Sequence, residues 1–141
     1  MSIVKLSNNG VKNATAFGSI TALGDLIFIS RSTASSSSSV SITSGINSTY
    51  KEYIFIFNNI HPASNLQGFL FNGSTDGGSN YNVAKTTTYN HAAHNESGTA
   101  QEVAYQDPSD LAQGTGFHRL QNFSNSDNDA SCSGYLHLFN P

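Results

Sequence analysis

The fold of this chain is decided by residues 50–60, which read YKEYIFIFNNI. Side chains of a β-strand alternate between its two faces, so residues two apart in this stretch share a face. The two faces are formed by Tyr53, Phe55 and Phe57 on one side and by Ile54, Ile56 and Ile60 on the other. Because both faces are apolar, we expect a central strand that is covered on both sides.

The same two-residue apolar period recurs in short runs along the chain, and no segment shows a sustained helical period. One helical turn is expected near residues 109–113, after a helix-start pattern. Some eight short strands with turns between them predict an all-β fold, a single antiparallel β-sandwich of jelly-roll type. The further predicted strands are 25–30, 40–43, 66–72, 84–90, 99–106, 116–123 and 132–139. The predicted core comprises Phe55, Phe57, Ile54, Ile56, Leu70, Leu136 and Leu138.

The composition excludes several classes of protein. Ser, Asn, Thr and Gly make up 61 of the 141 residues, and 11% of the residues are charged. This charged fraction is less than half of the roughly 25% that soluble domains carry, so a helical bundle with a charged surface is excluded. The six Lys and Arg residues are scattered and the net charge is −3, which argues against a nucleic-acid partner. The longest apolar run has five residues, so we expect no membrane insertion.

The beginning of the chain differs from the rest in its low apolar content. Residues 1–22 are predicted to form a polar N-terminal arm that orders against a neighbouring molecule. Residues 23–141 are predicted to form the β-sandwich domain.

Metal-ligating patterns are weak in this sequence. Asp127 and Asp129 lie in a loop rich in oxygen ligands, as a calcium site requires, and they are the weak candidates for metal binding. The EF-hand pattern is absent, because Cys132 stands where its glycine belongs. His91 and His94 have a spacing that serves a metal on a helix, but on a strand they point to opposite faces. We therefore expect neither a resident metal nor a cofactor, and no residue pattern nominates a catalytic group.

Exposed tyrosines offer an alternative function. Tyrosine rings can stack on sugars while neighbouring polar side chains bond the sugar hydroxyls, and the candidates for glycan contact are Tyr81, Tyr89 and Tyr105. The alternative hypothesis is therefore a carbohydrate-binding β-sandwich module for host-receptor glycans.

Three segments carry a resemblance: residues 43–63, residues 110–120, which read DLAQGTGFHRL, and residues 133–141, which read SGYLHLFNP. In this order they resemble uncharacterised proteins of marine tailed bacteriophages that are taken for virion components of tail-fibre, spike or head-decoration type. The resemblance implies a structural protein located in the virion, without catalysis. Its implied partners are further copies of itself, other virion proteins and a host surface glycan.

The resemblance also bears on assembly. In relatives the strand pattern continues further, which implies that this chain lacks C-terminal strands of the complete sandwich. We therefore expect the strand at 132–139 to lie beside an uncovered sheet edge, and such an edge is a template for pairing with another chain. Virion fibres and decorations of this architecture are often trimers, so a homotrimer is the expected assembly.

Overall fold

The computed structural model describes residues 26–95, 97–123 and 125–141. The chain divides into two units between Arg31 and Ser32. In the first unit, the described residues 26–31 are exposed and form no strand, so the strand predicted at 25–30 is wrong over that part. An apolar run becomes a strand when a neighbouring strand bonds its backbone, and no described residue does so here. The predicted arm, residues 1–22, lies outside the described residues.

The second unit, residues 32–141, is built from short strands. One 3-10 helix, Asp107–Ser109, interrupts them; it shares only Ser109 with the helical turn predicted at 109–113, because Leu111–Gly114 form a strand. This confirms the all-β prediction for the described chain. The strands are β1 (Glu52–Ile60), β2 (Gly68–Phe71), β3 (Lys85–Thr87), β4 (Asn90–His94), β5 (Gln101–Tyr105), β6 (Leu111–Gly114), β7 (His118–Asn122) and β8 (Cys132–Phe139).

The strands pair in a nested order. The antiparallel pairs are β1·β8, β2·β7, β3·β6 and β4·β5, so the chain runs out and back like one long hairpin with β4 and β5 at its tip. This nested order is the one found in jelly rolls. The four pairs are hydrogen-bonded as separate two-stranded sheets in the described residues, so the complete sandwich stays a prediction.

The longest ladder, β1·β8, has an inner and an outer face. Residues that lie directly opposite each other in a ladder share a face. Phe57 on the inner face meets Phe69 of β2 edge to face, with ring centroids 4.9 Å apart. The inner face therefore packs toward the β2·β7 ladder. Its cross-strand pairs are Tyr53 with Leu138, Phe55 with Leu136 and Phe57 with Gly134.

The core of the described chain is small. Its buried residues are Tyr53, Phe123 and His118, and the His118 ring packs edge to face against Phe71 with centroids 5.7 Å apart. The Tyr53 hydroxyl donates to the Asn47 carbonyl at 2.8 Å and accepts from the Asn47 amide at 3.1 Å. Tyr53 thereby ties the segment that precedes β1 to the ladder.

The expectation that residues 50–60 are covered on both sides is wrong. Ile56 is 74% exposed, and Ile54, Leu70 and Leu138 of the predicted core are exposed as well. Phe55, Phe57 and Leu136 are half-buried. The reason is that β1 has one hydrogen-bonded neighbour, β8, and no described segment lies over the outer face of this ladder. 

Two further predicted strands differ from the structure in more than their end residues. The run 40–43 is not a strand, and the run 84–90 breaks into β3 and the start of β4. Inside β1, Asn58 and Asn59 form a β-bulge, where Asn59 has φ of 53° and donates its amide to Ser133 Oγ. A bulge keeps the strand running while giving the extra residue a local partner. No helix in the part of the chain that the structure describes has the length and apolar character to cross a membrane.

Candidate functional site

The outer face of the β1·β8 ladder is the candidate site. Its cross-strand pairs are Glu52 with Phe139, Ile54 with His137 and Ile56 with Tyr135, and these six residues define it below. Ile56 and Tyr135 are each 74% exposed and Phe139 is 63% exposed. A strand face is usually apolar where it packs and polar where it meets water. Four of the six residues on this face are apolar or aromatic and meet water, which is the pattern of a surface that binds another surface.

Aromatic residues at every second position of β8 form a row along the outer face. Tyr135 and His137 meet edge to face with centroids 5.3 Å apart, and His137 stacks on Phe139 at 5.9 Å. His137 Nδ1 also contacts the Glu52 carboxylate across the ladder. These contacts orient the rings before any partner arrives, so little side-chain freedom is lost on binding.

The three tyrosines predicted to contact glycans do not form one platform. Tyr89 and Tyr105 lie at the same end of the β4·β5 hairpin, but Tyr105 lies opposite Asn90, so it faces the side opposite Tyr89. The Tyr105 hydroxyl donates to Asp110, a hydrogen bond that raises the pKa of Tyr105. Tyr81 lies elsewhere, where its carbonyl accepts from the Asn72 amide at 2.8 Å.

A groove with a volume of about 220 Å³ lies between β4 and β7. Residues of both strands line it, although each strand is hydrogen-bonded to another one. One of the predicted glycan-contact residues, Tyr89, lines the groove. The lining residues that carry polar or aromatic groups are Tyr89, His91, Gln106, Arg119, Gln121 and Asn122.

The two predicted metal-binding candidates are not grouped with further metal-ligating side chains in the described part of the chain. Asp127 and Asp129 are exposed, and Asp127 accepts a hydrogen bond from Asn125 Nδ2 at 2.9 Å. Among the described residues, no group of three His, Cys, Asp or Glu side chains is placed to hold a metal ion. His91 and His94 both belong to β4, on opposite faces of the strand as predicted.

Two polar residues that the sequence did not nominate hold together the loops beside the ladders. Asn72 Nδ2 donates to the carbonyls of Tyr81 and Thr115, at 2.8 and 3.0 Å, while Asn72 Oδ1 accepts from the Lys85 ammonium. Lys85 also donates to the Val83 carbonyl at 2.8 Å, and burial lowers the pKa of Lys85. The hydrogen bond from Asn72 to Thr115 joins residues that are 43 positions apart, so no local sequence pattern could predict it.

The single cysteine offers little reactivity. Cys132 opens β8 and is half-buried, and burial raises the pKa of its thiol. A thiol rather than a thiolate at neutral pH is a poor nucleophile.

Comparison with known proteins adds no relative. No protein-family model matches this chain, and no curated protein and no solved structure matches it either. The function is therefore argued from the geometry of the described residues and from the resemblance in the sequence.

Proposed function

We propose that this chain is a structural protein of a bacteriophage particle, of tail-fibre, spike or capsid-decoration type, which acts by assembly and surface contact and catalyses no reaction. The observation that carries the proposal is the outer face of the β1·β8 ladder. Its apolar and aromatic side chains are exposed although they belong to the longest ladder in the described chain.

The size of this surface fits assembly. Given that large apolar side chains present about 150–250 Å², the exposed fractions of Ile56, Tyr135 and Phe139 amount to roughly 450 Å². The largest apolar patch on a typical monomer is about 300–600 Å² and is often functional. A stable interface buries about 800 Å² on each partner, so the outer face supplies more than half of one. In this proposal its partner is another copy of the chain, in a homotrimer within the virion.

Two further observations favour a virion component. The nested strand pairing is shared with jelly rolls, an architecture that is common among capsid proteins. The surface is rich in Ser, Thr and Asn and carries few charges, which lets many copies pack densely without strong mutual repulsion. Fold likeness alone does not establish function, so the outer face remains the decisive feature.

Mass spectrometry of purified phage particles tests the proposal. We expect the wild-type chain among the particle proteins, and we expect Ile56→Lys to be lost from the particles because it places a charge on the outer face. Val103→Lys is the matched control, since Val103 is an exposed strand residue that lies outside the outer face. Absence of the wild-type chain from particles, or equal incorporation of both variants, contradicts the proposal.

A further inference from the structure

The groove between β4 and β7 is lined in part by a cationic residue, Arg119. Arg119 is half-buried, and its guanidinium makes no hydrogen bond or ion pair with any residue that the structure describes. Gly68 of β2 lies beside the Arg119 side chain: a Cβ at this position would stand 3.5 Å from Arg119 Nε, an ordinary contact distance. A guanidinium binds a carboxylate through two parallel hydrogen bonds. The groove is therefore equipped to receive an anionic group.

Two carboxylates that contact lining residues of the groove, Glu102 and Asp110, already have partners. Glu102 lies 3.6 Å from His91 Nε2, and Asp110 accepts the Tyr89 amide at 2.8 Å together with the Tyr105 hydroxyl. Neither lines the groove. Neither carboxylate forms an ion pair with Arg119, so the charge of the guanidinium is not neutralised by a residue that the structure describes.

Tyr89 and His91 form an aromatic wall of the groove. Their ring centroids are 6.2 Å apart and their planes are inclined by 31°. The backbone of Tyr89 is fixed from both sides, because its amide donates to Asp110 and its carbonyl accepts from the Gln106 amide at 2.8 Å. A rigid aromatic wall suits the C–H face of a sugar ring, since it offers apolar contact with little loss of side-chain freedom.

The remaining polar lining consists of carboxamides. Gln106, Gln121 and Asn122 each carry an acceptor oxygen and a donor NH₂ group, the combination that matches hydroxyls, which both donate and accept. The volume of about 220 Å³ is below the roughly 300–1,000 Å³ of sites for drug-sized ligands, so it holds one small ring. One cation beside three carboxamides favours a singly charged polyol over a phosphate ester, which needs more positive charge.

We propose that this groove binds one acidic sugar unit, with Arg119 holding its carboxylate, Tyr89 packing against its ring and the carboxamides bonding its hydroxyls. Uronic acids and sialic acids share this chemistry. Tyr89 is then the sugar-contacting member of the three predicted tyrosines, while Tyr81 and Tyr105 lie outside the groove. The proposal is independent of the assembly role, because its residues belong to different ladders from the outer face.

Titration of the full ¹⁵N-labelled chain by NMR tests the proposal, with glucuronic acid, N-acetylneuraminic acid and glucose as probes. We expect an acidic sugar to shift the groove amides with a millimolar dissociation constant, and glucose to bind at least about tenfold more weakly. The acidic sugar that binds more tightly identifies the source. Arg119→Gln and Tyr89→Ala should each weaken binding of that sugar about tenfold or more, a difference of about 1.4 kcal/mol. Tyr81→Ala is the matched control and should bind like the wild type.

Several results would overturn the proposal. These are the absence of groove shifts with both acidic sugars, equal binding of glucose, and undiminished binding by Arg119→Gln. Arg119→Lys keeps the charge but loses the planar fork, and we expect it to weaken binding severalfold. If Arg119→Gln does not fold, Arg119→Lys decides, because unchanged affinity in that variant contradicts the role of the guanidinium.

Discussion

Replacement of Asn72 by alanine is expected to destabilise the second unit through the loss of one side chain that joins three segments. The substitution leaves the carbonyls of Tyr81 and Thr115 without their donor and the Lys85 ammonium without its side-chain acceptor. The amide of Gly73, which donates to Asn72 Oδ1 at 2.9 Å, loses its partner as well. Water can reach these groups in part, so they are not left fully unsatisfied.

The expected loss follows from ordinary hydrogen-bond values. A neutral hydrogen bond contributes about 0.5–1.5 kcal/mol net, and one to a charged group about 1.5–3 kcal/mol. Because the bonds of Asn72 are partly exposed, we take the lower end of these ranges and expect a loss of about 2 kcal/mol. For a domain of this size, each kcal/mol lowers Tm by about 4 °C, so Tm should fall by about 8 °C.

Thermal unfolding followed by circular dichroism measures this effect. Asn82→Ala is the matched control, since Asn82 is exposed in the same loop and its side chain makes no hydrogen bond to another described residue. Asn72→Asp, which keeps the acceptor for Lys85 and loses the amide donor, should fall between wild type and Asn72→Ala. A drop in Tm for Asn72→Ala that is no larger than that of the control would refute the reasoning.

Three further outcomes are expected. Tyr53→Phe keeps the buried ring but loses the hydroxyl that bonds the preceding loop, so urea denaturation should show about 1 kcal/mol lower stability, and an unchanged midpoint contradicts this. Hydrogen bonds from Ser74 and Asn80 lower the pKa of Asp76 to about 2, below its ordinary 3.8. The contribution of this loop is therefore complete above about pH 4 and is lost as the pH falls toward 2; the Asn80 amide shift should titrate near pH 2, and a midpoint near 4 is the contrary result. The Cys132 thiol, whose pKa is raised by burial, should react with iodoacetamide at pH 8 more slowly than an unfolded cysteine peptide, and equal rates count against the burial.

The alternation of side chains between strand faces predicted which segments form the long strands, but it did not predict what covers the faces of those strands. The predicted strand at 132–139 matches β8 residue for residue, and 50–60 contains β1, because each run is long and strictly periodic. β6, Leu111–Gly114, was missed because four residues with one large apolar side chain carry no period. Periodicity also cannot say what covers a face, and for this reason Ile54 and Ile56 were assigned to the core although they lie on the outer face.

The candidate sites depend on pairing between distant strands. Tyr89 and Arg119 are 30 residues apart in the sequence and line the same groove in the folded chain. No spacing in the sequence reports this, and a lone arginine among scattered charges gave no signal. The glycan-contact prediction for Tyr89 rested on its residue type, and its place in the groove follows from the fold.

Sedimentation velocity of the purified wild-type chain at micromolar concentration tests the central claim, self-assembly through the outer face, most directly. The account predicts a homotrimer of about 45 kDa, three times the 15.0 kDa chain, and its dissociation to monomer by Ile56→Lys but not by Val103→Lys. A wild-type chain that sediments as a 15.0 kDa monomer at micromolar concentration, or an oligomer that Ile56→Lys leaves intact, would contradict the claim of self-assembly.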